Sequence, residues 1–199
     1  MLRSAPAVAL IVLAAAMVGA GCFGKSARLD GPTEPRLASD RLGSVRSALT
    51  FDGDWMGGMP LAEDLDEDLD LAHRRGVAVI IDLRDAGSRE TLPLDDAAER
   101  VGMELVVIDR ALAGSSLQDL TSEISNAAVD VVRDWLGAPE RRGVLLLDDD
   151  GSLAAAVYAI YLIADRDVDE ADVLRAARAS GMTDDDAAFV RSQVARSRG

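Results

Sequence analysis

Three short runs of consecutive apolar residues punctuate the chain: VAVIID at 77–82, ELVVID at 104–109 and VLLL at 144–147. Glycine or polar residues bound each run and none alternates, a pattern that suits strands covered on both faces, as in parallel sheets. Between them, apolar residues recur at helical spacing. Pro60 opens a stretch with Leu61, Leu65, Leu69 and Ala72 on one face, while Glu63, Asp64, Asp66, Glu67, Asp68 and Asp70 fill the rest. This predicts an amphipathic helix whose acids form a solvated face and sit near the N-terminus, where the macrodipole favours them; Gly76 ends it. A helix at 94–101 leads through Gly102 into the second run. A longer one at 117–136 places Leu120, Ile124, Ala127 or Ala128, Val131 and Trp135 at helical spacing before Gly137 and Pro139. Beyond the third run, 152–163 and 170–179 read as helices, and Thr183 with Asp186 three residues on caps a last one. Strands alternating with helices in this order predict an α/β domain, a mainly parallel central sheet flanked by helices.

The first fifty residues depart from that pattern. Arg3 precedes an apolar run at 5–18, and Gly19-Ala20-Gly21-Cys22 follows. The stretch resembles the lipobox of bacterial lipoproteins, which implies that Cys22 is lipidated and becomes the mature N-terminus. A plain export signal or an N-terminal membrane anchor is the alternative. Cys22 is the only cysteine, so the chain forms no intrachain disulfide. Residues 23–50 scatter Gly, Pro and Ser among charges and read as a tether, with a short helix within 37–49 as an option. The expected organisation is therefore a signal peptide at 1–21, a tether at 22–50 and one α/β domain at 51–199, a size that suits a single core.

Charge narrows the partners. The chain has 21 basic and 35 acidic residues, and every basic residue except Lys25 is arginine. Removing residues 1–21 takes away Arg3 and no acid, so the mature charge is 20 − 35 = −15. Nucleic acid is excluded as an expected partner, because phosphate-backbone binding needs clustered Lys and Arg. The expected contacts are a membrane, reached through the N-terminal lipid, and a protein partner.

Candidate chemistry lies in VLLLDDDGSLAAAV at 144–157. In α/β folds ligands gather at the carboxyl ends of the strands, where the loop into a helix presents backbone N–H groups to an anion. Asp148, Asp149, Asp150, Gly151 and Ser152 occupy such a loop. Three crowded carboxylates raise one another's pKa or recruit a cation, and hard oxygen ligands at Asp148 and Asp150 would suit Mg²⁺ or Ca²⁺. The plainer reading is a solvated acidic loop capping the helix that starts near Ser152, with no cofactor. His73, the single histidine, reads as a helix C-terminal residue favoured by the dipole, and Trp55 and Trp135 as packing residues. Arg84 reads as structural, paired with Glu90 or with an aspartate of the loop.

The order of elements adds a family resemblance. GGMP at 57–60 and the helix after it, GVAVIIDLR at 76–84, Glu90, AAERVGM at 97–103, the strand at 105–108 and the long helix before RRGVLLL together resemble bacterial members of the cysteine-dependent dual-specificity and tyrosine phosphatase superfamily. AAAVYAIYLIADRDVDEADVLRAARASGM at 154–182 is similar to that family's helix after the phosphate loop and its continuation. The resemblance covers about 51–182 and implies a protein tyrosine phosphatase-like fold. It also implies a loop H-C-x-x-G-x-x-R, in which a low-pKa thiolate attacks phosphorus and an arginine clamps the phosphoryl oxygens. Registering the loop glycine on Gly151 puts Leu147 at the histidine, Asp148 at the cysteine and Ala154 at the arginine. All three functional residues are absent, and 143–165 contains no arginine. The sequence thus predicts a degenerate phosphate loop with no catalytic residues, and a binding or scaffolding role.

Asp148-Asp149-Asp150-Gly151-Ser152 also resembles the D-x-D-G-[ST] motif of haloacid dehalogenase-type phosphatases. That likeness implies a Mg²⁺-dependent phosphohydrolase with Asp148 as nucleophile and Asp150 as acid/base. The motif there ends the first strand of a long domain, whereas 51 residues follow Asp148, and no lysine follows Lys25. A response-regulator receiver would need the same missing context.

Overall fold

The computed structural model describes residues 36–37, 42–46, 48–110, 124–138, 143–179 and 181–199, all within the compact unit Gly31–Gly199. The proposed signal peptide, Cys22, Lys25, residues 117–123 of the expected long helix and Pro139 lie outside the described residues.

One sheet organises the unit. Its strands are β1 (Arg36–Leu37), β2 (Leu49–Phe51), β3 (Asp54–Gly58), β4 (Val77–Asp82), β5 (Glu104–Val107) and β6 (Gly143–Asp148), in the order β1-β2-β3-β6-β4-β5. The pairs β3·β6, β6·β4 and β4·β5 are parallel, while β1·β2 and β2·β3 are antiparallel at one edge. The predicted runs become β4, β5 and β6. Alternation on the pleat explains why β4 and β6 are apolar without a break. Val79, Ile81, Val144 and Leu146 enter the core on one face and Ile80, Leu145 and Leu147 on the other, while Val77 joins this second core across the irregularity in register between Val77 and Val79.

The helices are α1 (Leu65–Arg74), α2 (Ala86–Thr91), α3 (Asp95–Val101), α4 (Asn126–Gly137), α5 (Ser152–Ala164), α6 (Glu170–Ala179) and α7 (Asp184–Arg198). α1 and α3 contribute to one core, and α4 to α7 to the other. α5 is buried continuously from Leu153 to Ile163, because it packs against β3, β6, α4, α6 and α7 at once. A helix so enclosed is apolar all round. The expected cap of α7 forms as a reciprocal pair: Asp186 N–H donates to Thr183 Oγ1 at 3.2 Å, and Thr183 N–H to Asp186 Oδ2 at 2.8 Å.

Several expectations need correction. Residues 42–46 and 48–50, assigned to the tether, belong to the folded unit: Leu42, Val45 and Leu49 are buried, and Leu49 starts β2. The described part of 37–49 contains no helix. The β2–β3 hairpin carries no periodic signal, since its strands are short and β3 ends in Gly57-Gly58; its turn uses positive φ at Asp52 and Gly53. Asp68 is not on a solvated face but buried. In α4 the buried face is Ala128, Val129, Val132 and Leu136, so Val131 and Trp135 sit at its margin. α2 begins at an N-cap, Asp85, whose carboxylate accepts from Ser88 N at 2.8 Å.

Candidate functional site

The acidic loop lies where the sequence places it, between the carboxyl end of the central strand β6 and the first turn of α5. Its three carboxylates do three different jobs. Asp148 is buried, and its side chain turns back into the loop: Oδ1 accepts from Gly151 N at 2.7 Å and Oδ2 from Leu153 N at 3.1 Å. Gly151 makes this turn with φ of 98°, a conformation costly for any residue with a Cβ. Asp149 is half-buried and meets the Arg110 guanidinium at 3.1 Å, while Arg110 Nε donates to Leu83 O. Asp150 is exposed, and its Oδ1 accepts from Ser152 N at 2.9 Å and Ser152 Oγ at 2.7 Å.

These environments separate the pKa values. Burial pushes the Asp148 carboxyl up to about 6, overcoming the N–H bonds that favour its ionised form; the neighbouring Asp150 charge is a smaller cause. Asp150 moves the other way, held below the usual range first by the Ser152 N–H and hydroxyl. The expectation that the acids raise one another's pKa holds only as the smaller effect of Asp150 on Asp148. Desolvation sets Asp148, and hydrogen bonds set Asp150.

The positions matched to the phosphate-loop arginine and histidine are closed off. Ala154 has no exposed surface and belongs to the core formed with α4 to α7, and Leu147 is fully buried against the opposite core. Among the described residues no group of three or more His, Cys, Asp or Glu is placed to share a metal ion. Asp148 and Asp150 both accept from donors within the loop itself: Gly151 N and Leu153 N for Asp148, and Ser152 N and Oγ for Asp150.

Arg84 is structural, though with another partner than expected. It is 1% exposed and grips Asp82, also 1% exposed, through Nε–Oδ1 at 3.0 Å and Nη2–Oδ2 at 2.7 Å, and Nη1 donates to Leu92 O at 2.7 Å. The pair fastens the end of β4, next to β6, to the chain around α2. Another buried carboxylate, Asp54, accepts from Tyr158 Oη at 2.8 Å and Val144 N at 3.1 Å, joining β3 to β6 and α5. Its sequence context, DGD, reads only as a turn. His73 is exposed in the last turn of α1 with Nδ1 3.3 Å from Val77 O, and Trp55 is buried with the Arg75 guanidinium 5.2 Å from its ring centroid.

No family model matches the chain, and no curated protein matches it in sequence. Solved structures do match in fold. P. aeruginosa TpbA superposes with a TM-score of 0.59 at 19% identity, covering 84% of this chain and 95% of that one. The active form of Tk-PTP gives 0.55 at 18% identity, over 75% of this chain and 97% of that one. A DUF442 protein from Shewanella putrefaciens CN-32 gives 0.55 at 14%, over 77% and 90%. At these identities the likeness is one of fold: the chain has the α/β architecture of the cysteine-dependent tyrosine and dual-specificity phosphatases.

Proposed function

We propose that this protein is an exported, lipid-anchored module of the cell envelope that uses a phosphatase-like fold for non-catalytic binding or scaffolding of a protein partner. The observation that carries the proposal is the direction of the Asp148 side chain. A phosphoryl group gripped by such a loop needs the backbone N–H groups at the start of the helix, a guanidinium and a nucleophile. Here Asp148 takes the Gly151 and Leu153 N–H groups for its own carboxylate. Ala154 offers no cation, and no sulfur lies in the loop. A carboxylate inside the cradle also repels a phosphate dianion. The anchor rests on Cys22 and the small residues before it.

The test uses the full chain recovered from membranes. With an aryl phosphate and Mg²⁺, release of phosphate is expected to equal that of buffer, and Cys22→Ser is expected to move the protein into the soluble fraction. Phosphate release that disappears in Asp148→Asn would establish a metal-dependent phosphohydrolase instead. Unchanged membrane retention of Cys22→Ser would remove the lipid anchor from the account.

A further inference from the structure

Residues 42–46 run along the carboxyl end of β3, beside the acidic loop, without joining any strand or helix. Leu42 and Val45 bury themselves with Trp55, Met59, Leu65 and Leu69. The polar hold comes from Asp68 on α1, 4% exposed, whose Oδ2 accepts from Ser44 N at 2.9 Å and also from Ser44 Oγ. Ser44 Oγ in turn accepts from Leu61 N at 2.8 Å. Gly43 has φ of 56°, and a Cβ there would stand 1.5 Å from Asp68 Oδ1, so the turn closes onto the carboxylate with no room to spare.

The same segment reaches the loop through one residue. Gly58 N–H donates to Arg46 O at 2.8 Å. Gly58 also pairs with Asp150 in an isolated antiparallel bridge, and a Cβ on Gly58 would lie 2.5 Å from the Asp150 carbonyl carbon. Segment, glycine and loop therefore form one contiguous backbone contact.

We infer that residues 42–46 are a strap latched by Asp68, and that the strap and the loop at 148–152 open and close as one unit, so that lifting the strap frees the loop. The inference does not rest on the non-catalytic reading. Its physical basis is that proteins open locally in contiguous cooperative units, and that coupling between segments is carried by packed and hydrogen-bonded contacts such as those both make with Gly58.

Hydrogen exchange of the full chain, followed by mass spectrometry, reads this directly. In Asp68→Ala, peptides covering 42–46 and 148–153 are both expected to exchange about tenfold or more faster, the scale of losing a hydrogen-bonded charged partner, while 184–198 keeps its wild-type rate. Ser44→Ala, which leaves the buried carboxylate in place, is expected to give the same pattern with a smaller change and serves if Asp68→Ala does not fold. Faster exchange in the strap with a wild-type loop would overturn the coupling. A wild-type strap in either folded variant would overturn the latch, and acceleration reaching 184–198 would reduce Asp68 to a general stabiliser.

Discussion

Arg84→Ala is expected to destabilise the folded unit by about 3–5 kcal/mol, the cost of leaving one member of a buried ion pair without its partner. The substitution removes both guanidinium bonds to Asp82 and the bond to Leu92 O, and leaves a carboxylate that is 1% exposed with no countercharge, held only by the backbone N–H of residue 84 at 2.9 Å. Asp82→Ala should cost a similar amount, because it strands the guanidinium. The double replacement Asp82→Leu with Arg84→Met should cost clearly less than the two single losses combined, since nothing charged is left buried. Urea unfolding of the four proteins measures these differences. A loss below about 1 kcal/mol for Arg84→Ala would mean that water reaches the pair, as for exposed ion pairs. The consequence extends to the loop, because Leu83, between the paired residues, donates its N–H to Leu147 O at 2.8 Å, immediately before Asp148.

The second large effect is a pH dependence centred on Asp148. Its carboxyl titrates near 6 in the folded chain, against 3.8 as the reference value for the unfolded one, so the folded state binds more protons between those limits. Stability therefore falls as pH rises from about 4 through 6, by up to about 3 kcal/mol for a shift of this size. Asp150 works in the opposite sense and in another window. Its lowered pKa contributes stability above 3.8 that is lost as pH falls through its folded value. Unfolding midpoints should be higher at about pH 5 than at about pH 7.5, and Asp148→Asn should flatten that difference. A wild-type curve as flat as that of Asp148→Asn would show that the carboxyl is hydrated after all.

Much of the fold is legible in the sequence because both faces of its central strands are covered. Continuous apolar runs at β4 and β6, and the unbroken apolar surface of α5, are consequences of that coverage, whereas β5, at the sheet edge, is only partly covered, with Glu104 and Val107 exposed. The antiparallel edge is not legible in this way. β2 and β3 are three and five residues long, and β3 is specified by where Gly57 and Gly58 let other backbone approach, which leaves no hydrophobic period. Burial of Asp68 is hidden for a related reason. In sequence it is one acid among six on a helix, and only the distant Gly43–Ser44 turn singles it out.

At the candidate site, the position of the loop and the absence of cysteine and arginine can be read directly from residues 143–154. The inward turn of Asp148 cannot, because Asp148, Asp149 and Asp150 are chemically identical and only the geometry around Gly151 distinguishes the one that faces the helix start. The pairing of Arg84 with Asp82, rather than with Glu90, likewise depends on both side chains folding to the same side of the chain after β4.

The central claim is that Asp148 holds the N–H groups a phosphoryl group would need. Its most direct test is a titration of the full chain with inorganic phosphate above pH 6, where Asp148 is ionised, following the Gly151 and Leu153 amide resonances by NMR. Both are expected to stay where they are in the free protein at every phosphate concentration. A saturable shift of these two amides would show that the loop still takes an oxyanion, and would contradict the account.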